Sequence, residues 1–119
     1  MRRWKGSDPM RRAIAACLTA ALAASVPAKA ADASPEAARE IVRQKCQSCH
    51  GLDGLATIPE APNLAGQNRN YLVRQLIAFR AGERKDEKMS PASFGLTDAE
   101  IAAAAAWYAA VPFTAALPD

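Results

Sequence analysis

The pentapeptide Cys46-Gln47-Ser48-Cys49-His50 is the feature that most restricts how this 119-residue chain can fold. The pattern C-x-x-C-H is the attachment sequence of c-type haem. Two thiols three residues apart at the end of a helix can reach the two vinyl groups of one porphyrin. The histidine that follows lies beneath the iron, where an imidazole nitrogen can bind it. The sequence therefore predicts one covalently bound haem c, with thioethers at Cys46 and Cys49 and with His50 as an iron ligand.

Two neighbouring cysteines also occur in three kinds of site that this sequence favours less. A thioredoxin-like redox pair requires a βαβ context, and the chain shows no strand pattern. A zinc site requires further ligands, but His50 is the single histidine and the third cysteine, Cys17, lies in the N-terminal segment. A structural disulfide between cysteines so close together in a helix would be strained.

The apolar content of the chain consists largely of alanine. Hydrophobic residues make up 50% of the sequence, but aromatic residues only 6%. Because an alanine buries little area, the side chains alone can form only a thin core. A chain of this length is one small domain, which excludes a multidomain enzyme. The large apolar body of a haem would complete such a core.

The N-terminal segment has the three parts of a secretory signal. Arg11 and Arg12 form a basic start, residues 13–26 are apolar, and Ala28-Lys29-Ala30 provides the small residues that a signal peptidase reads. We therefore predict a signal peptide over residues 1–30, cleaved after Ala30, and a monohaem domain over residues 31–119. A retained anchor is the alternative, but the apolar stretch is short for a membrane span.

The basic character of the chain belongs to this segment. The whole chain has a net charge of +3, but the part after residue 30 holds nine basic and eleven acidic residues. Binding to nucleic acid therefore loses its main support. Residues 68–88 are an exception, with six basic and three acidic residues. These charges either form a solvated helix face or steer an acidic partner to the domain.

The periodicity predicts an all-α domain with three main helices, covering residues 35–47, about 68–81 and 98–110. Ser34 caps the first helix and is followed by a proline at a position where no N–H is needed. Gly82 ends the second helix. Thr97 and Glu100 form a capping box for the third. The long loops between the helices are expected to surround the haem.

Met89 is the methionine that remains after cleavage at Ala30. It is predicted in the loop before the third helix, next to Lys88 and Ser90, which are poor surroundings for a core residue. A thioether on the iron would complete His/Met ligation and raise the reduction potential. The alternatives are Met89 as core packing with an open sixth site, or a lysine ligand, Lys85 or Lys88.

Four sequence segments together resemble the class I c-type cytochromes, and among them the bacterial single-haem relatives of cytochrome c4 and cytochrome c553. The segments are CQSCHG, APNLAGQ at 61–67, YLVRQL at 71–76 and MSPASFGLTDAEI from Met89 onwards. The resemblance spans roughly residues 35–111. It implies the small class I cytochrome c fold, with loops wrapped around one haem.

The resemblance also implies roles for individual residues. Cys46 and Cys49 would carry the thioethers, and His50 and Met89 would be the axial ligands. Pro62 matches the proline whose carbonyl accepts the Nδ1–H of the axial histidine. Tyr71, Gln67 and Arg69 are candidate contacts of the haem propionates.

The family also has a tight crossing of its first and last helices beside the haem. Trp107 and Tyr108 lie on the last helix of this chain at that crossing. Ala38 and Val42 occur where a glycine and an aromatic residue are usual. The sequence alone therefore does not define how closely the two helices approach each other.

These features together predict a periplasmic one-electron carrier that is not an enzyme, because no second histidine and no compact pair of acids is present. Its expected partners are redox proteins, such as a periplasmic dehydrogenase or a membrane oxidase or reductase. The membrane is reached only through these partners, and a monomer or weak dimer is expected. The alternatives are a haem ligand-binding or sensor module with an open sixth site, and a haem subunit of a dehydrogenase complex.

The thin core leads to a prediction for the haem-free chain. We expect the apoprotein to be largely unfolded, because haem supplies most of the apolar surface that the alanines lack. Circular dichroism during heating should show low helicity without a sharp transition. A cooperative transition from a state with native helicity would contradict this expectation.

Overall fold

Five helices make up the regular structure of residues 33–119, the part of the chain that the computed structural model describes. They are α1 (Pro35–Lys45), α2 (Gln47–His50), α3 (Arg69–Ala81), α4 (Met89–Ser93) and α5 (Asp98–Ala110), and no strand occurs in these residues. The predicted all-α class is confirmed for them. The predicted signal peptide and its cleavage after Ala30 lie outside the described residues. Between residues 33 and 119, no helix is both long enough and apolar enough to span a membrane.

The first predicted helix is divided in two. The hydroxyl of Ser34 accepts the N–H of Ala37 at 3.2 Å and caps α1, which begins at Pro35 as expected. The helix ends at Lys45 rather than at residue 47, because Cys46 departs from helical geometry with φ −125°. The chain then turns into α2, which ends with His50. The break therefore gives the haem-attachment motif a short helix of its own.

The other two predicted helices have the predicted bounds to within about one residue. The Asn68 side chain accepts the N–H of Tyr71 at 3.0 Å at the start of α3, and Gly82 ends that helix in the left-handed region at φ 74°. Thr97 and Glu100 form both hydrogen bonds of the capping box at the start of α5.

Helix α4 was not predicted, so the placement of Met89 in a loop was wrong. Met89 is the first residue of α4. The Asp86 carboxylate accepts the N–H groups of Lys88 and Met89, each at 2.8 Å, and this satisfies donors that a helix start leaves free. Pro91 is tolerated because it lies in the first turn, where no N–H is required.

The core lies where α1 and α3 pack against α5. Its centre consists of Val42, Leu72, Ala104, Ala105 and Tyr108. The small alanines of α5 allow close packing, and Val42 of α1 is completely buried. Ala38 is also buried at this crossing. The two departures from the usual residues therefore still give a closed contact between α1 and α5.

The capping box leads to a pH-dependent prediction. The N–H of Thr97 is the main cause that lowers the pKa of the Glu100 carboxyl. The stabilisation by Glu100 is therefore full above its unfolded pKa of about 4.3 and is lost as the pH falls through the lower folded pKa. Glu100→Gln should reduce the free energy of unfolding at pH 7 and change it little in acid, as measured by denaturant titration.

Lys45→Gln is the matched control, because the Lys45 ammonium lies 3.9 Å from Glu100 at the surface. Such exposed pairs contribute little, so this variant should stay close to the wild type. An equal loss in Glu100→Gln at both pH values would show that the carboxylate charge is not the cause.

Candidate haem-binding site

The motif Cys46–His50 forms a single turn that is closed by its own backbone. The carbonyl of Cys46 accepts the N–H of Cys49 at 3.3 Å and that of His50 at 3.1 Å. Cys46 and Cys49 are both half-buried and are free cysteines. The sequence produces this arrangement because α1 ends at Lys45 and Cys46 begins the next turn as the N-cap of α2. The predicted attachment residues are therefore brought together on one turn.

The His50 side chain is buried and is held by a hydrogen bond. Its side chain donates a hydrogen bond from Nδ1 to the carbonyl oxygen of Pro62 at 2.9 Å, and the residue is 6% exposed. A carbonyl can only accept, so the Nδ1 atom carries the proton. In the neutral ring the lone pair is then on Nε2, the form in which imidazole binds a metal. The contact between His50 and Pro62 that the resemblance implied is present.

The loop between α2 and α3 is tied to the motif by Thr57. Its N–H donates to the carbonyl of Cys49 at 2.9 Å, and its hydroxyl donates to the carbonyl of Ser48 at 2.7 Å. The Asn63 side chain accepts the N–H of Ala56 at 2.7 Å across the same loop. These bonds fix the backbone on both sides of Pro62. The loop therefore holds the Pro62 carbonyl in place next to the His50 side chain.

Two aromatic side chains of α5 hold the start of this loop. The Trp107 indole N–H donates to the carbonyl of Leu52, and the Tyr108 hydroxyl donates to that of Gly51, each at 2.8 Å. Burial raises the pKa of the Tyr108 hydroxyl above its usual range, so it remains a donor. Gly51 has φ +70°, and a side chain there would overlap the Leu55 carbonyl. The loop can therefore turn directly after His50.

Met89 belongs to a separate element, since α4 packs against α3 rather than being part of the motif. The residue is half-buried. The N–H groups of Met89 and then Lys88 hold the pKa of the Asp86 carboxyl below its usual range, so the cap is charged at neutral pH. The structure thus fixes the backbone of Met89, while its role as a ligand stays a prediction.

The thiol of Cys46 is unsuited to thiol–disulfide chemistry. Burial raises its pKa to about 11, and the neighbouring Lys45 lowers it only in part. Redox-active cysteines in C-x-x-C motifs have lowered pKa values instead, because the thiolate is the reactive form. This observation argues against the thioredoxin-like alternative. Within residues 33–119, no three His, Cys, Asp or Glu side chains are grouped so as to hold a metal ion.

The side chains of the motif fit a covalently bound haem. Two free thiols lie on one turn, and the next residue presents an imidazole whose tautomer is fixed by Pro62. This is the donor set that thioether attachment and axial ligation require.

Comparison with known proteins identifies the family of this chain. The family described as "Cytochrome C oxidase, cbb3-type, subunit III" matches residues 33–107. The chain is a class I c-type cytochrome. Membership of this family implies haem c as the cofactor and electron transfer as the kind of function.

Three relatives illustrate the similarity of this cytochrome to others. Cytochrome c4 of Thiocapsa roseopersicina is 39% identical over 71% of this chain and 44% of its own length. Cytochrome c-554(548) of Halomonas halodenitrificans is 44% identical over 53% of this chain and 80% of its own length. A thiosulfate dehydrogenase electron acceptor of Thiomonas intermedia is 39% identical over 84% of this chain and 44% of its own length. The chain thus spans under half of two of these relatives and most of the third.

Some basic side chains of segment 68–88 form contacts within the cytochrome. Arg80 pairs with Asp98 at 2.7 Å. The Arg84 guanidinium donates to the Gln75 side chain at 2.6 Å, and its carbon lies 4.4 Å from the centre of the Phe79 ring. Arg80 and Arg84 therefore both have partners inside the domain. The choice between a solvated helix face and a docking surface stays a prediction.

Sequence reasoning did not find several residues that support the site. The missed residues include Thr57 and Asp86, and the hydrogen bonds of Trp107 and Tyr108 were not foreseen. Asp86 could have been found from the sequence, because an aspartate often caps a helix by accepting the N–H groups two and three residues after it. The others had no such signal, since they bond to backbone carbonyls far away in the chain.

The buried tyrosine gives a prediction for this site. Tyr108→Phe should leave the Gly51 carbonyl without its partner and lower the free energy of unfolding by about 1–3 kcal/mol. Thr114→Val is the control, because it removes an exposed hydroxyl and should change little. Urea titration of both variants tests this. Equal stabilities of the two variants would contradict the contribution of the Tyr108 bond.

Proposed function

We propose that this cytochrome is a periplasmic one-electron carrier with one haem c, bound through Cys46 and Cys49 and ligated by His50 and Met89. The observation that carries the proposal is the hydrogen bond from His50 to Pro62, on the residue directly after the second cysteine. This bond orients the imidazole and leaves Nε2 available to an iron, which supports His50 as the ligand. When bound, the haem supplies an iron that takes up and releases one electron.

The residues of the chain have separate tasks in this proposal. His50 would present Nε2 to the iron, and the Pro62 carbonyl would raise the basicity of the imidazole by accepting a hydrogen bond from its Nδ1–H. Met89 would supply a thioether, which raises the reduction potential. With both axial ligands bound, the coordination geometry of the iron would change little between its two oxidation states. Fast transfer of an electron needs such a small change.

The support for Met89 comes from its backbone. It is held by Asp86 in the first turn of α4 and is half-buried, whereas residues 81–88 before it are exposed. Lys85 and Lys88, the alternative ligands, are both exposed.

The names of the relatives support redox proteins as partners. Two of them are named thiosulfate dehydrogenase electron acceptor. We therefore propose a periplasmic dehydrogenase as the class of electron donor.

Export requires the signal peptide predicted over residues 1–30, and we propose cleavage after Ala30. Mass analysis of the exported protein distinguishes this from a retained anchor, and co-purification distinguishes a mobile carrier from a permanent subunit.

The proposal predicts a spectroscopic effect of Met89→Ala. The oxidised wild type should be low-spin with a weak far-red sulfur-to-iron band, which should disappear in the variant while the reduction potential falls. Optical spectra and redox titration measure both.

Lys85→Ala and Lys88→Ala are the controls, and both should keep the band. Disappearance of the band in a lysine variant, with none in Met89→Ala, would assign the sixth ligand to lysine. A broad high-spin spectrum of the wild type would favour a ligand-binding module with an open site.

A further inference from the structure

Helix α4, which begins with Met89, is held at both of its ends. At the start, the Asp86 carboxylate accepts the N–H of Met89, and the Asp86 N–H donates to the Ser90 hydroxyl at 3.0 Å. Beyond the end, the N–H of Leu96 donates to the carbonyl of Ser93, the last residue of α4, at 3.2 Å. Leu96 and Ser93 are both buried. The turn after α4 is therefore part of the packed interior.

Arg80 of α3 anchors this second end. Its Nη1 donates to the carbonyl of Leu96 at 2.8 Å in a partly buried contact. Its Nη2 donates to the Asp98 carboxylate at 2.7 Å, but that side chain is 87% exposed. The planar guanidinium can serve both acceptors at once, which a lysine cannot. Exposed ion pairs contribute little, so the bond to Leu96 is the one that fixes the chain.

Hydrogen bonds form a path from α3 to the end of α4, the helix that begins with Met89. Arg80 holds Leu96, Leu96 is bonded to Ser93, and Ser93 is one helical turn from Met89 on the same side of α4. Met89, Ser90 and Ser93 are the residues of α4 that are not exposed, so this side faces inward. A movement of Leu96 away from α3 would move the inner side of α4 with it.

We propose that Arg80 is the positioning residue for the axial ligand Met89. By holding the Leu96 carbonyl, it keeps α4 against α3 and the thioether at the iron. The inference rests on the proposed His50/Met89 ligation. It assigns to Arg80 an effect on the equilibrium between the ligated state and a state in which Met89 has left the iron.

Competition by imidazole measures this equilibrium in the oxidised holoprotein. Imidazole binds only where Met89 has left, so its apparent affinity is proportional to the fraction of that state. Arg80→Leu should increase the apparent affinity about tenfold, since a hydrogen bond from a charged group is lost. Arg80→Lys should give a smaller increase, because it keeps the charge and one donor to Leu96. An unchanged affinity in both variants would overturn the proposal.

Two further variants separate positioning from general stabilisation. Asp98→Asn removes the exposed ion pair but leaves the bond to Leu96, so its imidazole affinity should equal that of the wild type. Arg74→Leu replaces an exposed arginine of the same helix and should also have no effect. If Asp98→Asn matched Arg80→Leu, the arginine would act through α5 rather than through α4, and the proposal would fail.

Thermal unfolding of the same variants completes the test. A lowered melting temperature of Arg80→Leu with unchanged imidazole affinity would show a merely structural role and overturn the proposal. If the wild type itself lacks the far-red sulfur-to-iron band, the proposed ligation by Met89 is wrong. If the wild type has the band and the Arg80 variants bind imidazole as it does, only the positioning role is wrong.

Discussion

The hydrogen bond between His50 Nδ1 and the Pro62 carbonyl is the contact on which the site depends. It joins the last residue of α2 to the middle of the long loop that follows, twelve residues away. The bond decides the tautomer of the only histidine in the chain, and thereby which nitrogen can bind a metal. Much of the loop architecture serves to keep the Pro62 carbonyl at this place. Thr57 fixes the loop to the motif, and Trp107 and Tyr108 fix its start to α5.

The alanine-rich helix α5 explains how a small domain can provide this rigidity. Its buried alanines pack closely, and Ala38 and Val42 of α1 fill the crossing. The one large side chain that is almost fully buried at this crossing, Tyr108, ends in a hydroxyl bonded to Gly51. The core is therefore thin, but its main aromatic residue, Tyr108, also orients the loop after His50. Such a core is consistent with a domain that relies on a bound haem for the rest of its apolar interior.

The sequence predicted the parts of this architecture whose causes are local. Ser34 and Thr97 each cap a helix through hydrogen bonds within three residues, so the starts of α1 and α5 could be read directly. The start of α3 was placed only approximately, near Asn68, which caps it in the same local way. The motif at Cys46–His50 is local in the same way. Pro62 was found through resemblance alone, because twelve residues separate it from His50. The features that were missed depend on contacts that spacing does not encode. Helix α4 is too short for a periodic pattern and exists because of the Asp86 cap. The contact from Arg80 to Leu96 joins residues sixteen apart through a backbone carbonyl, for which no side-chain type is diagnostic.

Mass spectrometry of the denatured, exported protein shows whether a haem is covalently attached to this chain. We expect a polypeptide that begins at Ala31 and retains the mass of one haem after extraction with acidified organic solvent. Peptide mapping should place this mass on the segment that contains Cys46 and Cys49. A polypeptide of bare mass, with two free thiols and no haem, would contradict haem attachment and with it the proposed electron carrier.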